Sequence, residues 1–123
     1  MMRRIILPLL AAALSAACRE GERPQPPAVP AGDARLGRLA LDRHDCGVCH
    51  VIPGIVHSPG QVGPSLKGFA RRPHLAGKFP NQPQFVMRWI MDPPAMAPHT
   101  AMPAVGVPAA EARDMAAYLF TLQ

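Results

Sequence analysis

The chain is 123 residues long, 49% hydrophobic but only 5% aromatic, with a formal net charge of +5. That length has room for one domain, and a domain this small with so few aromatic rings needs something besides side chains to complete its core. Thirteen basic side chains become 11 against 8 acidic once Arg3 and Arg4 leave with the leader described next, and the resulting +3 is too weak to argue for nucleic acid.

Residues 1 to 17 read as an export signal. Arg3 and Arg4 form a positive start, Ile5 to Leu14 an apolar run too short to span a bilayer, and Ser15-Ala16-Ala17 a small-residue cleavage region. Small residues ending at Cys18 resemble the lipobox of bacterial lipoproteins, whose cysteine is lipidated and becomes the mature N-terminus. Ser15 stands where that motif carries Leu, with Leu14 one place early. Two outcomes therefore stay open: a lipid anchor on Cys18, which the sequence favours, or ordinary cleavage after Ala17, leaving a free thiol. Residues 18 to 32 follow as a tether, in which Pro24, Pro26, Pro27 and Pro30 favour an extended, semi-rigid spacer.

The folded domain is expected from residue 33 to 123. Sixteen prolines confine helices to a few windows. The first runs from Asp33, a fair N-cap, to His44, with Leu36, Leu39 and Ala40 sharing one face. A short one covers Gln84 to Met91, with Phe85, Val86, Trp89 and Ile90 at helical spacing and Asp92-Pro93-Pro94 as its stop. The third covers Pro108 to Leu122: proline suits its first turn, Glu111 and Asp114 suit the positive dipole end, and Ala112, Met115, Ala116, Leu119 and Leu122 form an apolar stripe. Between these lie Gly- and Pro-rich loops with no strand pattern, so the class is all-α. One loop clusters Lys67, Arg71, Arg72, His74 and Lys78, which either steer an acidic partner or make a solvated loop with some arginines bound to internal anions.

The stretch Cys46-Gly47-Val48-Cys49-His50 carries two of the three cysteines. A Cys-x-x-Cys pair serves zinc, a redox dithiol, or thioether attachment of haem. Structural zinc needs four ligands, and no second pair at ligand spacing follows. A thioredoxin-like dithiol opens a helix in a βαβ context that is absent here. Haem attachment uses all three residues: two thiols add to vinyl groups and the adjacent histidine ligates iron. An exported chain with a thin aromatic inventory fits haem best.

From Asp33 to Gln123 the sequence resembles the class I c-type cytochromes. The attachment motif is followed in order by Gly63-Pro64-Ser65-Leu66, Arg72, Trp89-Ile90-Met91-Asp92-Pro93, Thr100-Ala101-Met102-Pro103, and Ala117-Tyr118-Leu119. The resemblance implies a cytochrome c fold of three or more short helices and Gly/Pro-rich loops wrapped around one covalent haem c. It implies that the carbonyl of Pro64 accepts a hydrogen bond from His50, fixing the ring and making it more electron-donating. Seven methionines are present. Met87, Met91 and Met115 fall on helices, while Met96 and Met102 fall in the loop that crosses the open haem face. The family places its methionine ligand nine residues after the proline that ends the preceding helix, as Met102 stands to Pro93, in a Thr100-x-Met-Pro setting. Met102 is thus preferred to Met96 and to His99, the alternative nitrogen ligand. By the same map Gly37 lets the last helix approach the first, with Leu41 and Tyr118 at the crossing. Arg72 compensates a haem propionate and Trp89 sits beside the methionine ligand, although packing or surface roles remain open for these two.

The implied function is single-electron transfer in a periplasmic chain by a His50/Met102-ligated haem, a carrier and not an enzyme. Its partners are a redox donor and acceptor, with a membrane oxidase or dehydrogenase among the candidates, no nucleic acid, and contact with a bacterial membrane only through the lipid anchor. One alternative is the cytochrome subunit through which electrons enter a periplasmic dehydrogenase or terminal oxidase complex. The other is a haem sensor or peroxidase that loses Met102 and binds a small ligand.

Overall fold

A computed structural model describes residues 25–123. The expected signal peptide, Cys18 and the first residues of the tether lie outside the described residues. Those of the tether from Gln25 to Gly32 lie against the body: Val29 packs on the core, and Gln25 to Val29 form a shallow groove with Ala117, Phe120 and Thr121.

The first helix, α1, spans Ala34–Arg43 and begins where the sequence predicts. The Asp33 carboxylate accepts the backbone N–H groups of Arg35 and Leu36 at 2.8 and 3.0 Å, pairing two donors that have no partner inside the helix. Its buried face differs from expectation. Leu36 and Leu39 are 42% and 40% exposed, while Ala40 of the same expected face is buried together with Gly37 and Leu41, the two residues the resemblance places at the crossing with the last helix. The reason is the neighbour: a Cβ on Gly37 would collide with the Asp114 carbonyl, so backbone meets backbone at that point, and the line of contact runs through 37, 40 and 41. Leu36 and Leu39 lie off that line.

The element that meets Gly37 is the last helix. A short antiparallel pair, β1 (His74–Leu75) and β2 (Phe79–Pro80), comes first, then α2 (Pro83–Met91), the single turn α3 (Pro93–Met96) and α4 (Ala109–Leu119). Helix α2 carries proline in its first turn and buries Val86 and Ile90. Helix α3 was not expected. The Asp92 carboxylate accepts the Ala95 N–H at 3.2 Å, so the Asp-Pro-Pro run that ends one helix also caps and starts another. Met96 accordingly sits in a helical turn and not in a loop. The β pair was also unforeseen, being two residues per strand with no room for an alternating pattern. It leaves the class unchanged: the fold is helical, with α4 packed on both α1 and α2. No helix among the described residues is long and apolar enough to cross a membrane.

Two further links tie α4 down. The Tyr118 hydroxyl donates to the Pro53 carbonyl at 2.6 Å. At its other end Glu111 accepts from His44 Nε2 at 2.7 Å and pairs with Arg43 at 3.0 Å, joining the end of α1 to the start of α4. The hydrogen bond from His44, and after it that from Arg43, hold the Glu111 carboxyl below the ordinary value of 4.5. Stability from such a group is complete above the ordinary carboxylate value and is lost as pH falls through the lowered one. Glu111→Gln should therefore flatten the acid side of the melting-temperature profile, below about pH 4.5, and change the neutral value little, since partly exposed pairs contribute little. An acid limb as steep in the variant as in the parent would show that the pair does not couple to folding.

Candidate cofactor site

His44 caps the end of α1 and Asp45 turns the chain through a left-handed conformation, φ 54°. Cys46–Val48 then form one 3-10 turn, closed by the N–H groups of Cys49 and His50 on the Cys46 carbonyl at 3.3 and 3.0 Å. The loop that follows doubles back on this turn, with Gly60 N–H donating to Gly47 O at 3.1 Å and Gly63 N–H to Cys49 O at 2.8 Å. Both cysteines and His50 are thereby brought to the wall of one cavity of about 530 Å³, otherwise bounded largely by apolar side chains such as Leu41, Leu66, Phe69 and Ile90.

His50 Nδ1–H donates to the Pro64 carbonyl at 2.8 Å. That bond assigns the tautomer and leaves Nε2 as the free lone pair. Gly63 has a role the sequence did not suggest: a Cβ there would collide with the imidazole ring, so glycine is what permits the ring to lie against this loop.

After α3 the chain from Ala97 to Val107 supplies more of the lining. The Met102 N–H donates to Thr100 Oγ1 at 3.2 Å, and both side chains border the cavity. Of the methionines among the described residues, Met102 alone does so. Met96 is in α3, Met87 and Met91 are on α2, and Met115 is fully buried in the core. His99 borders the cavity as well, so both sixth-ligand candidates other than Met96 are in place.

Trp89 also lines the cavity, tilted against Phe79 at 6.2 Å between ring centroids. Arg72 lines it with its guanidinium donating to the carbonyls of Ser65 and, at 3.1 Å, Lys67, and lying 5.8 Å from the Phe69 ring centroid. All eight sequence-predicted residues, Cys46, Cys49, His50, Pro64, Arg72, Trp89, Thr100 and Met102, thus border one space. His44 borders it too and was missed, and so do His74 and Lys78, which the sequence placed only in the basic cluster of that loop. His44 stands two residues before Cys46, a position that could have drawn notice.

The donor set discriminates among the uses of a Cys-x-x-Cys pair. Among the described residues no group of three or more His, Cys, Asp or Glu side chains is placed to hold a metal ion, so the four ligands that a closed zinc site requires are not brought together there. Burial, foremost, pushes the Cys46 thiol up to about 11, the reverse of the lowered value that activates a redox dithiol. Two thiols, a histidine with a free Nε2 and a thioether around a largely apolar space fit haem c. A family model described as cytochrome c matches residues 34–123, and no curated protein matches the chain.

Proposed function

Since the chain belongs to the cytochrome c family, which binds covalent haem c and carries electrons, we propose that it is a periplasmic single-electron carrier in which His50 and Met102 would hold the haem iron. Haem c, when bound, supplies one-electron chemistry at iron. The observation that carries the ligand assignment is that Met102 alone, among the described methionines, borders the cavity that His50 borders. His50 offers Nε2, and its bond to the Pro64 carbonyl fixes the ring and makes it more electron-donating. The Met102 thioether raises the reduction potential relative to a second imidazole. Held by both residues, the iron would keep no open site for oxygen or peroxide. Arg72 supplies a cation at the cavity wall for a haem propionate, and Trp89 and Thr100 support the Met102 side.

The leader, the small residues before Cys18 and the proline-rich tether support export and a lipid anchor on Cys18, which would hold the domain at a bacterial membrane. Partners are then a redox donor and acceptor within reach of that surface, a membrane oxidase or dehydrogenase being the class that fits. Holo-protein matured with a haem-attachment system should show one reversible one-electron wave and, when reduced, should not bind carbon monoxide rapidly. Rapid binding by the wild type would mean an open iron site and turn the reading to a ligand sensor. For the anchor, metabolic labelling with a fatty-acid analogue should mark the wild type and not Cys18→Ala; both forms unlabelled in the soluble periplasmic fraction would leave ordinary cleavage.

A further inference from the structure

Asn81 is the buried polar side chain of the described core, 8% exposed, and it lies in the bend between β2 and α2. Its Nδ2 donates twice, to the Phe69 carbonyl at 2.8 Å and to the Arg72 carbonyl at 3.0 Å. Its backbone N–H donates to the Pro73 carbonyl at 3.2 Å. One residue therefore holds the chain from Phe69 to Pro73 at three points, and Arg72 is in the middle of that segment. The guanidinium end of Arg72 is held separately by the carbonyls of Ser65 and Lys67. With both its backbone and its side chain tied, Arg72 has little freedom to leave the cavity wall.

We propose that Asn81 is a positioning residue for the redox site: through the carbonyls of Phe69 and Arg72 it holds the Arg72 guanidinium at the cavity and so raises the reduction potential of the bound haem. The inference rests on the reading of Arg72 as the cation that compensates a haem propionate. The physics has two steps. The Phe69 carbonyl also accepts the Arg72 N–H at 3.2 Å and keeps that partner, but the part-buried Arg72 carbonyl has its donor in Asn81, so removing the amide leaves that carbonyl to move toward water and carries Arg72 with it. A cation near the iron disfavours the more positive, oxidised state, and that effect falls off with distance. Displacing Arg72 therefore lowers the potential even though Asn81 itself carries no charge and does not border the cavity. A purely structural role for Asn81 predicts a different pattern: lower stability with the potential left where it was.

The test is a double-mutant cycle on the midpoint potential, measured by spectroelectrochemistry of holo-protein for the wild type, Asn81→Ala, Arg72→Gln and the double variant. Asn81→Ala should lower the midpoint by about half or more of the shift that Arg72→Gln causes, and should add little in the Arg72→Gln background, because residues acting through one group are not additive. Shifts that simply add, or a variant that melts earlier at an unchanged potential, overturn the proposal. If Arg72→Gln itself leaves the potential unchanged, the reading of Arg72 fails and this inference with it, while the haem ligation stands apart. Should Asn81→Ala not accumulate as folded holo-protein, Asn81→Ser, whose hydroxyl serves one of the two carbonyls, carries the same comparison with a smaller expected shift. Equal potentials for Asn81→Ser and the wild type, with a lowered melting temperature, would then overturn it.

Discussion

Replacing both Cys46 and Cys49 with alanine should yield a chain that gives up all its haem to acid-acetone and shows no cooperative unfolding transition. Wild-type protein should retain one haem through the same extraction. The attachment motif makes the loss chemical, since without the two thiols no thioether can form. The collapse follows from packing. A cavity of about 530 Å³ sits inside a domain of some ninety residues, bordered by Leu41, Leu66, Phe69 and Ile90, which also belong to the hydrophobic core of the described residues. At about 24 cal/mol per Å³, leaving that space unfilled corresponds to roughly 13 kcal/mol as an upper bound, because one side is open to water. Even half of that is comparable with the whole stability of a small domain. The measurements are mass spectrometry of the extracted protein and circular dichroism through a thermal scan. Haem that survives extraction from the double variant would place the attachment elsewhere, and haem lost from the wild type would end the covalent reading.

The second large effect is expected at Met102. A thioether is a better ligand for ferrous than for ferric iron, so Met102→Ala should lower the reduction potential and open the sixth position. The oxidised variant should lose the weak sulfur-to-iron absorption band near the red end of the spectrum, and the reduced variant should take up carbon monoxide readily where the wild type does not. Met96→Ala is the control: it lies in α3 away from the cavity and should leave both properties nearly unchanged. If Met96→Ala removes the band and Met102→Ala keeps it, the ligand is Met96. If neither does, His99, which borders the same cavity, is the residue to replace next.

Much of this site was legible because its parts are short-range. Cys46, Cys49 and His50 lie within one turn of chain, and Gly63-Pro64 and the Thr100–Met102 pair are local motifs whose bonds, from His50 to Pro64 across 14 residues and within the 100–102 loop, reach little further. The helix starts were equally legible where a cap or a proline announces them, as Asp33 does for α1. Helix α3 and the β pair escaped because four residues and two residues carry no measurable period.

What the sequence determined by itself is the covalent chemistry and the approximate helical windows, since both follow from spacings along the backbone. The resemblance already placed Gly37 and Leu41 at the crossing with the last helix; what only the tertiary structure decided is that Leu36 and Leu39 stay outside that contact, and which side chains meet across the fold. Leu36 and Leu39 satisfy a helical apolar pattern as well as Ala40 does, yet they are exposed because α4 crosses at Gly37. The bonds from Asp33 to Asp114 and from His44 to Glu111 join residues 81 and 67 positions apart, and Asn81 reaches back to Phe69 and Arg72 from another turn. Such pairings depend on how close two backbones come in space, which here is set by a missing side chain at Gly37 and a buried amide at Asn81, and no local periodicity encodes either distance.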